Sequence, residues 1–440
     1  MTLEMTAVGG FSEIGRQSTA IKVDNDVFII DLGLHVENYM KYTQDEREDV
    51  TLSSVRSLRK AGAVPDWTSI RDWKSKVRAI IITHAHLDHV GAVPYMAHLF
   101  GCPIYASPFT LALLRQLVKD KNISLDNELI PVRGRIKLTD KVTLEFITST
   151  HSTVDTNFTA LHTPYGVVFV DNDYKLDKHP TLGPKPDFKG LKKLRGKVKL
   201  HVGECLYAPH PASTPSESVA RQMLQDLLLN GNFKNRPVFV STFASHIARL
   251  NTLIAIGQAM QRKVVFMGRS MSKYLFAAKE VGIIDIPKHV RILRFGSQLN
   301  NFLRKNRDLS NYLLICTGHF GEPKAVLSRI ADGKLPYRFK PDDVVVLSSH
   351  VIPVETIIES RKVLNNKLRS LKVRIYADVH VSGHASREDI RWMLETLRPE
   401  HLCPNHGNRE MTASAVQLAD EVGIPRKNIH VLQDGDRLTL

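Results

Sequence analysis

Four side chains able to bind a metal stand within His84-Ala85-His86-Leu87-Asp88-His89. Imidazole nitrogens and a carboxylate suit Zn²⁺, and the same donors accept Mn²⁺ or Fe. The run before them, Val77 to Thr83, is apolar and β-branched, which predicts a buried strand. His84 and His86 alternate, so in an extended chain they point the same way. A turn at Asp88-His89 could aim that pair at a second ion. The plainer reading is a histidine-rich surface loop. The ordered HxHxDH spacing directly after a strand argues against it.

Other metal-competent residues follow predicted strands elsewhere. His151 lies beyond Val142 to Thr148, Asp173 beyond Gly166 to Val170, and Glu204 after a short strand at Val202. His406 follows Leu402-Cys403-Pro404-Asn405, and His384 follows Val373 to Val379. Asp31 ends the strand Val27 to Ile30, where it reads first as a cap or turn residue and second as a partner orienting a metal ligand. Repeated placement of this kind is the pattern of a site built on a sheet edge. His84, His86, Asp88, His89, His151, Asp173 and His406 make seven candidate ligands. That is too many for one tetrahedral ion and suits two. A pair of ions clamps the attacking and leaving oxygens of a displacement and lowers the pKa of a shared water toward about 7. No GxSxG nucleophile elbow is present, and Gly9 to Gly15 lacks the spacing and lysine of a phosphate loop.

The elements that must carry these residues divide the chain. At 440 residues two or three domains are expected. Residues 1 to about 40 read as a hairpin-rich β start, and 38 to 76 as a polar surface excursion. From about 207 strands and helices alternate. Pro237 to Thr242, Lys263 to Met267, Tyr312 to Cys316 and Asp343 to Leu347 read as strands of a doubly wound parallel sheet. Its ligand crevice should lie at the carboxyl strand ends, by Ser245, Ser348 and Ser349, where helix-start amides can hold a phosphate. Each serine alone reads more simply as a helix cap. Thr214-Pro215-Ser216-Glu217 reads as a capping box opening a helix toward Leu229. The formal charge of +15 favours polyanions, nucleic acid first. The four cysteines are scattered, so neither a disulfide framework nor a cysteine zinc site is expected, and a reducing cytoplasm fits. No apolar run is long enough to span a membrane, and the first residues lack the pattern of a secretion signal.

At this point the motifs resemble a known family. HAHLDH, with DLG upstream and single His and Asp residues downstream, resembles the metallo-β-lactamase fold. Glu204, His384 in SGHAS and His406 in PNHG resemble the added motifs of the β-CASP nucleases. TFAS, GRSM, TGHFGEP and SSHVIP resemble the inserted domain of the ribonuclease J family, and the length resembles its shorter archaeal form. The resemblance implies an α/β architecture: a metallo-β-lactamase αββα sandwich over 1–206 and 373–440, interrupted by a doubly wound β-CASP domain over 207–372. It implies that His84, His86 and His151 bind one zinc, that Asp88, His89 and His406 bind another, and that Asp173 bridges them. Asp31 would orient a ligand. Glu204 and His384 would sit by the scissile phosphate, with His384 assisting proton transfer or stabilising charge. Asp88, Glu204, His384 and Asp31 are thus the expected catalytic set. A histidine at 406 resembles the RNA-cutting branch. Ser245 and Ser382 would help hold a 5′ phosphate, as in 5′-to-3′ trimming of monophosphorylated single-stranded RNA, with internal cutting as a further mode. A cytoplasmic homodimer follows by the same analogy.

Two other functions stay open at this level: an RNA endonuclease like the cleavage-and-polyadenylation factors, and a non-catalytic RNA-binding scaffold. TGHFGEP and SSHVIPVET depart from the family's TGSQGEP and SSSPIPGNE at His319, Phe320, His350, Val351 and Val354 among other places. Both stretches fall in the expected substrate crevice and leave the metal residues untouched.

Overall fold

The structure, a computed structural model, describes residues 2–45, 55–351 and 355–440. Part of the polar excursion, 46–54, and Ile352, Pro353 and Val354 of SSHVIPVET lie outside the described residues. The chain divides into two compact units. One comprises Met1–Lys178, Pro184–Thr214 and Gly383–Leu440; the other comprises His179–Gly183 and Pro215–Ser382. The sequence reading turns over at 206/207 and 372/373. The strand Arg374–Tyr376, however, pairs in parallel with Val344–Ser348 and so belongs to the inserted unit's sheet.

The first unit holds two sheets. Leu3–Gly9, Ser18–Val23 and Asp26–Ile30 form an antiparallel meander, with Asp24 at φ 54 in the tight turn between the last two. Val77–Ile82, Ile104–Ala106 and Leu129–Pro131 extend it in parallel, and Arg437–Thr439 closes its other edge. The second sheet runs in the order His401–Asn405, Val198–Glu204, Gly166–Val170, Asn157–Thr163, Thr143–Thr148, Arg135–Lys137. Alternating apolar residues of both sheets, among them Met5, Phe28, Ile81, Leu144, Val168 and Leu200, meet in one buried core. The other face of the second sheet is covered by the helices Phe188–Lys193, Arg387–Leu397 and Arg409–Glu421. Phe169, Leu191, Met393 and Leu418 pack there.

Register brings the strand ends together. Ile30 pairs with Ile81, so Asp31 and Thr83 emerge side by side. Val170 pairs with Val202, and Glu204 with Asn405, so Asp171 to Asp173, Glu204 and His406 leave the second sheet along one edge. Asp31 (φ 63) and His406 (φ 54) take left-handed backbone, a conformation that non-glycine residues adopt at a cost where the surroundings hold them.

The second unit is a parallel sheet in the order Arg291–Leu293, Lys263–Met267, Tyr312–Cys316, Val238–Thr242, Val344–Ser348, Arg374–Tyr376. Its four central strands are near-continuous apolar runs buried on both faces, as a sheet wrapped by helices requires. Thr214 is not the helix cap. The helix Glu217–Asn230 is capped by Ser216, whose hydroxyl accepts from Ser218 N at 3.1 Å, while Thr214 donates to His384 O at 2.6 Å in the first unit. Arg249, at the start of the helix Ile247–Ala259, is fully buried and grips both Glu217 oxygens at 2.6 and 2.7 Å. It also donates to Ser348 Oγ at 2.8 Å, and that hydroxyl donates to Val379 O at 2.7 Å. The Ser348 hydroxyl is therefore engaged by the scaffold. Ser245 and Ser349 are buried at the same carboxyl strand ends, and Ser382 is half-buried.

Candidate metal centre and active site

The HAHLDH loop is held from behind by backbone. Gln17 N donates to Asp88 O at 2.8 Å, Leu32 N to His89 O at 2.9 Å and Leu34 N to Leu87 O at 2.9 Å. The approach is so close that a Cβ on Gly33 would lie 1.6 Å from Asp88 O, which explains the glycine of DLG.

In front of that backbone the donors gather in two sets. His84 Nε2, His86 Nδ1, His151 Nε2 and Asp173 Oδ2 face one another: 3.3 Å from His84 to His86, 3.0 Å from His86 to His151, and 3.6 Å from Asp173 to each of His84 and His151. His89 Nε2, His406 Nε2, Asp88 Oδ2 and Asp173 Oδ1 form the other. Asp173 lies 3.2 Å from His89 and 3.5 Å from His406, and Asp88 3.9 Å from each. Asp173 turns one oxygen to each set.

The donors fit divalent ions on two counts. Bonds of about 2.0–2.1 Å at tetrahedral angles put neighbouring donors about 3.4 Å apart, and the edges of the first set scatter around that length. In addition, His89 Nε2 and Asp173 Oδ1 are buried and make no hydrogen bond, an expensive state unless a cation sits between them.

Each imidazole is oriented by a contact at its other nitrogen. His89 Nδ1 meets Asp31 Oδ2 at 2.7 Å, His151 Nδ1 donates to Gly383 O at 2.7 Å, and His84 Nδ1 meets Thr83 Oγ1 at 3.1 Å. His86 Nε2 meets Ser152 Oγ at 3.3 Å, and His406 Nδ1 abuts the Gln17 amide. Asp31 is itself held by Thr83, through N at 2.9 Å and Oγ1 at 2.8 Å. An acceptor at that nitrogen, as Gly383 O is for His151, sets the tautomer and leaves the facing nitrogen as a lone pair; at His406 it is the Gln17 amide nitrogen that faces Nδ1. Burial lowers the pKa of His84, His151 and His406 and takes His86 to about 3, so these rings are neutral, the ligand form. His89 goes the other way: burial opposes its charge, but Asp173 and Asp31 outweigh burial and raise it. A cation would displace that proton.

Beside the donors, His384 Nδ1 lies 2.8 Å from Glu204 Oε2, while Glu204 Oε1 accepts from Tyr174 N at 3.1 Å and Ala385 N at 3.2 Å. Burial pushes the Glu204 carboxyl up against the pull of His384. Burial likewise opposes charge on His384, and Glu204 and Asp173 outweigh it, raising His384 to about 9. The pair thus keeps His384 protonated at neutral pH. Asp173, Glu204 and His384 form a third cluster of possible metal donors. The close Glu204–His384 contact makes that group an ion pair.

The sequence-predicted residues Asp31, His84, His86, Asp88, His89, His151, Asp173, Glu204, His384 and His406 thus converge within the first unit. Ser245, Ser348, Ser349 and Ser382 belong to the second. Sequence reasoning missed Gln17, Thr83, Ser152, Asp171 and the Gly383 carbonyl. Thr83 and Asp171 had a signal, each being polar at the end of a predicted strand and within two residues of a candidate ligand. Gln17 and a backbone carbonyl had none.

A two-sheet sandwich with paired His/Asp donor sets at its strand ends, joined to a parallel α/β unit, defines a metal-dependent hydrolase of the metallo-β-lactamase class with a β-CASP insertion. Residues 15–176 match the family model of the metallo-beta-lactamase superfamily, 234–366 that of the ribonuclease J beta-CASP domain, and 370–432 that of the Zn-dependent metallo-hydrolase RNA specificity domain. Ribonuclease J of Methanocaldococcus jannaschii is 38% identical, covering 100% of this chain and 99% of its own. Ribonuclease J of Pyrococcus abyssi is 38% identical over 96% of this chain and 93% of its own, and ribonuclease J 1 of Streptococcus pyogenes 30% over 99% and 74%. The chain belongs to the ribonuclease J family and is a metal-dependent ribonuclease. A crystal structure of a protein of unknown function from Enterococcus faecalis shares the fold, with TM-score 0.67 at 17% identity and 100% coverage of both chains. Among the described residues no helix is long and apolar enough to cross a membrane.

Proposed function

We propose that the two donor sets hold two Zn²⁺ per chain and that the enzyme trims single-stranded RNA from the 5′ end, preferring 5′-monophosphate, with internal cutting as a second mode. The observation that carries the metal reading is Asp173, which offers one oxygen to each set of imidazoles. Divalent ions in such a pair supply a hydroxide nucleophile at neutral pH and neutralise charge on the phosphodiester. The chain's own residues do the rest. His84, His86, Asp88, His89, His151, Asp173 and His406 are the ligands, and Asp31 fixes the His89 ring. His384, kept protonated by Glu204, offers its proton or its charge to a phosphate oxygen. Ser245, Ser349 and Ser382 are the proposed contacts to the 5′ phosphate, while Ser348 acts through the Arg249 scaffold. A homodimer and a cytoplasmic location complete the proposal, by family analogy.

The test is a product ladder from 5′-monophosphate, 5′-triphosphate and circular RNAs, with and without chelator. Labelled mononucleotide released fastest from monophosphate ends supports the proposal. Cuts in circular RNA with no end preference favour an endonuclease, and chelator-resistant cleavage removes the metal roles.

A further inference from the structure

A row of rings leads away from the donor sets within the first unit. His384 stacks on His406 at 5.8 Å and 28°, Tyr207 lies 5.9 Å from His384 at 40°, and His210 lies 4.9 Å from Tyr207 at 45°. Burial falls along the row: His406 is buried, His384 and Tyr207 half-buried, His210 exposed. The Tyr207 ring is backed by the core under the second sheet. Its loop is pinned. Tyr207 forms a parallel bridge to Ser386, His210 N donates to Tyr207 O at 3.0 Å, and Arg387 N donates to His210 O at 3.0 Å. The rings are therefore set in place before any ligand arrives.

We propose that Tyr207, extended by His210, is a stacking platform for a nucleobase flanking the scissile phosphate. This rests on the reading that RNA is cut beside His384. Every base has a π-face, so a fixed aromatic ring next to a phosphodiester site holds a single strand without selecting sequence. Stacking that is equal in ground and transition states lowers KM and leaves kcat alone.

The test combines a short single-stranded RNA carrying one abasic nucleotide, moved position by position, with variants at 207. For the wild-type chain one abasic position beside the cut raises KM by about 5- to 150-fold, the range of one lost stack. Tyr207→Leu raises KM for intact RNA by a similar factor, and the abasic lesion then adds little. Tyr207→Phe recovers most of the loss. A flat abasic scan with the wild-type chain overturns the platform without recourse to any variant, and so do equal KM values for the Leu and Phe variants. Unchanged turnover by His384→Ala would instead remove the underlying site reading, which keeps the two failures apart.

Discussion

The Asp171 carboxylate accepts the backbone N–H of Glu204 at 2.9 Å. Its other oxygen meets His201 Nε2 at 2.8 Å, deep in the sheet, with both side chains buried. Glu204 in turn orients His384. Asp171 therefore holds the Glu204–His384 pair in place from behind. Asp171→Asn is expected to lower kcat by about 10- to 100-fold, the usual cost of losing an outer partner, with KM and metal content held. Steady-state kinetics alongside metal analysis check this; loss of metal instead would make Asp171 part of the binding shell.

Removing Asp173 opens both donor sets, because each of its oxygens serves a different one. Asp173→Ala should reduce bound metal at both sites, whereas His84→Ala should deplete mainly one. Elemental analysis of dialysed protein reads the stoichiometry directly. Equal loss in the two variants would contradict the one-oxygen-each arrangement.

Asp31→Asn leaves one acceptor oxygen where His89 Nδ1 and Thr83 together use two, and puts an NH2 donor in place of the other. Metal affinity should fall about 10- to 100-fold, measured by competition with a chromophoric chelator. An unchanged affinity would return Asp31 to a turn residue.

His384 is held above the ordinary imidazole range against burial by Glu204 and Asp173. If its protonated form is the active one, kcat falls as pH rises through the alkaline limb. Glu204→Gln removes a raising charge, so that limb should move to lower pH. A pH profile of kcat for the two proteins decides it, and a limb that stays in place would show that the proton lies elsewhere.

In the second unit Glu217 and Arg249 are a buried pair. Arg249→Met takes both guanidinium hydrogen bonds from the buried carboxylate, leaving it His246 at 3.2 Å, and should cost up to about 3–5 kcal/mol of stability, partly regained on adding Glu217→Gln. Burial alone would raise the Glu217 pKa, but His246 and Arg249 hold it well below the usual value. Its contribution is then fully present above the unfolded value of about 4.3 and is lost as pH falls toward the folded value. Thermal melts from about pH 6 down to about pH 2 should show the wild type keeping this advantage over the double variant down to about pH 4.3 and losing it below.

Much of this was legible in the residues. Short apolar strands bounded by His or Asp announced both the sheets and the site, because a strand's alternation and its abrupt end are local properties. Lys263–Met267 and Tyr312–Cys316 stand where the apolar runs stand. Arg291–Leu293 was not legible, since three residues with an exposed arginine carry no alternation to read. Nor was the Thr214 capping box correct: that hydroxyl found a carbonyl distant in sequence, His384 O, and the cap passed to Ser216.

Sequence alone determined the chemistry: which residues offer nitrogen or oxygen, that they outnumber one ion's needs, and that a parallel α/β unit interrupts the sandwich. Tertiary structure decided how those donors are shared. That Asp173 faces both sets, that His86 turns Nδ1 inward while its neighbours turn Nε2, and that Asp171 and Gln17 support the site from behind all depend on strand register and ring rotation. Those are settled only when strands distant in the chain pack edge to edge.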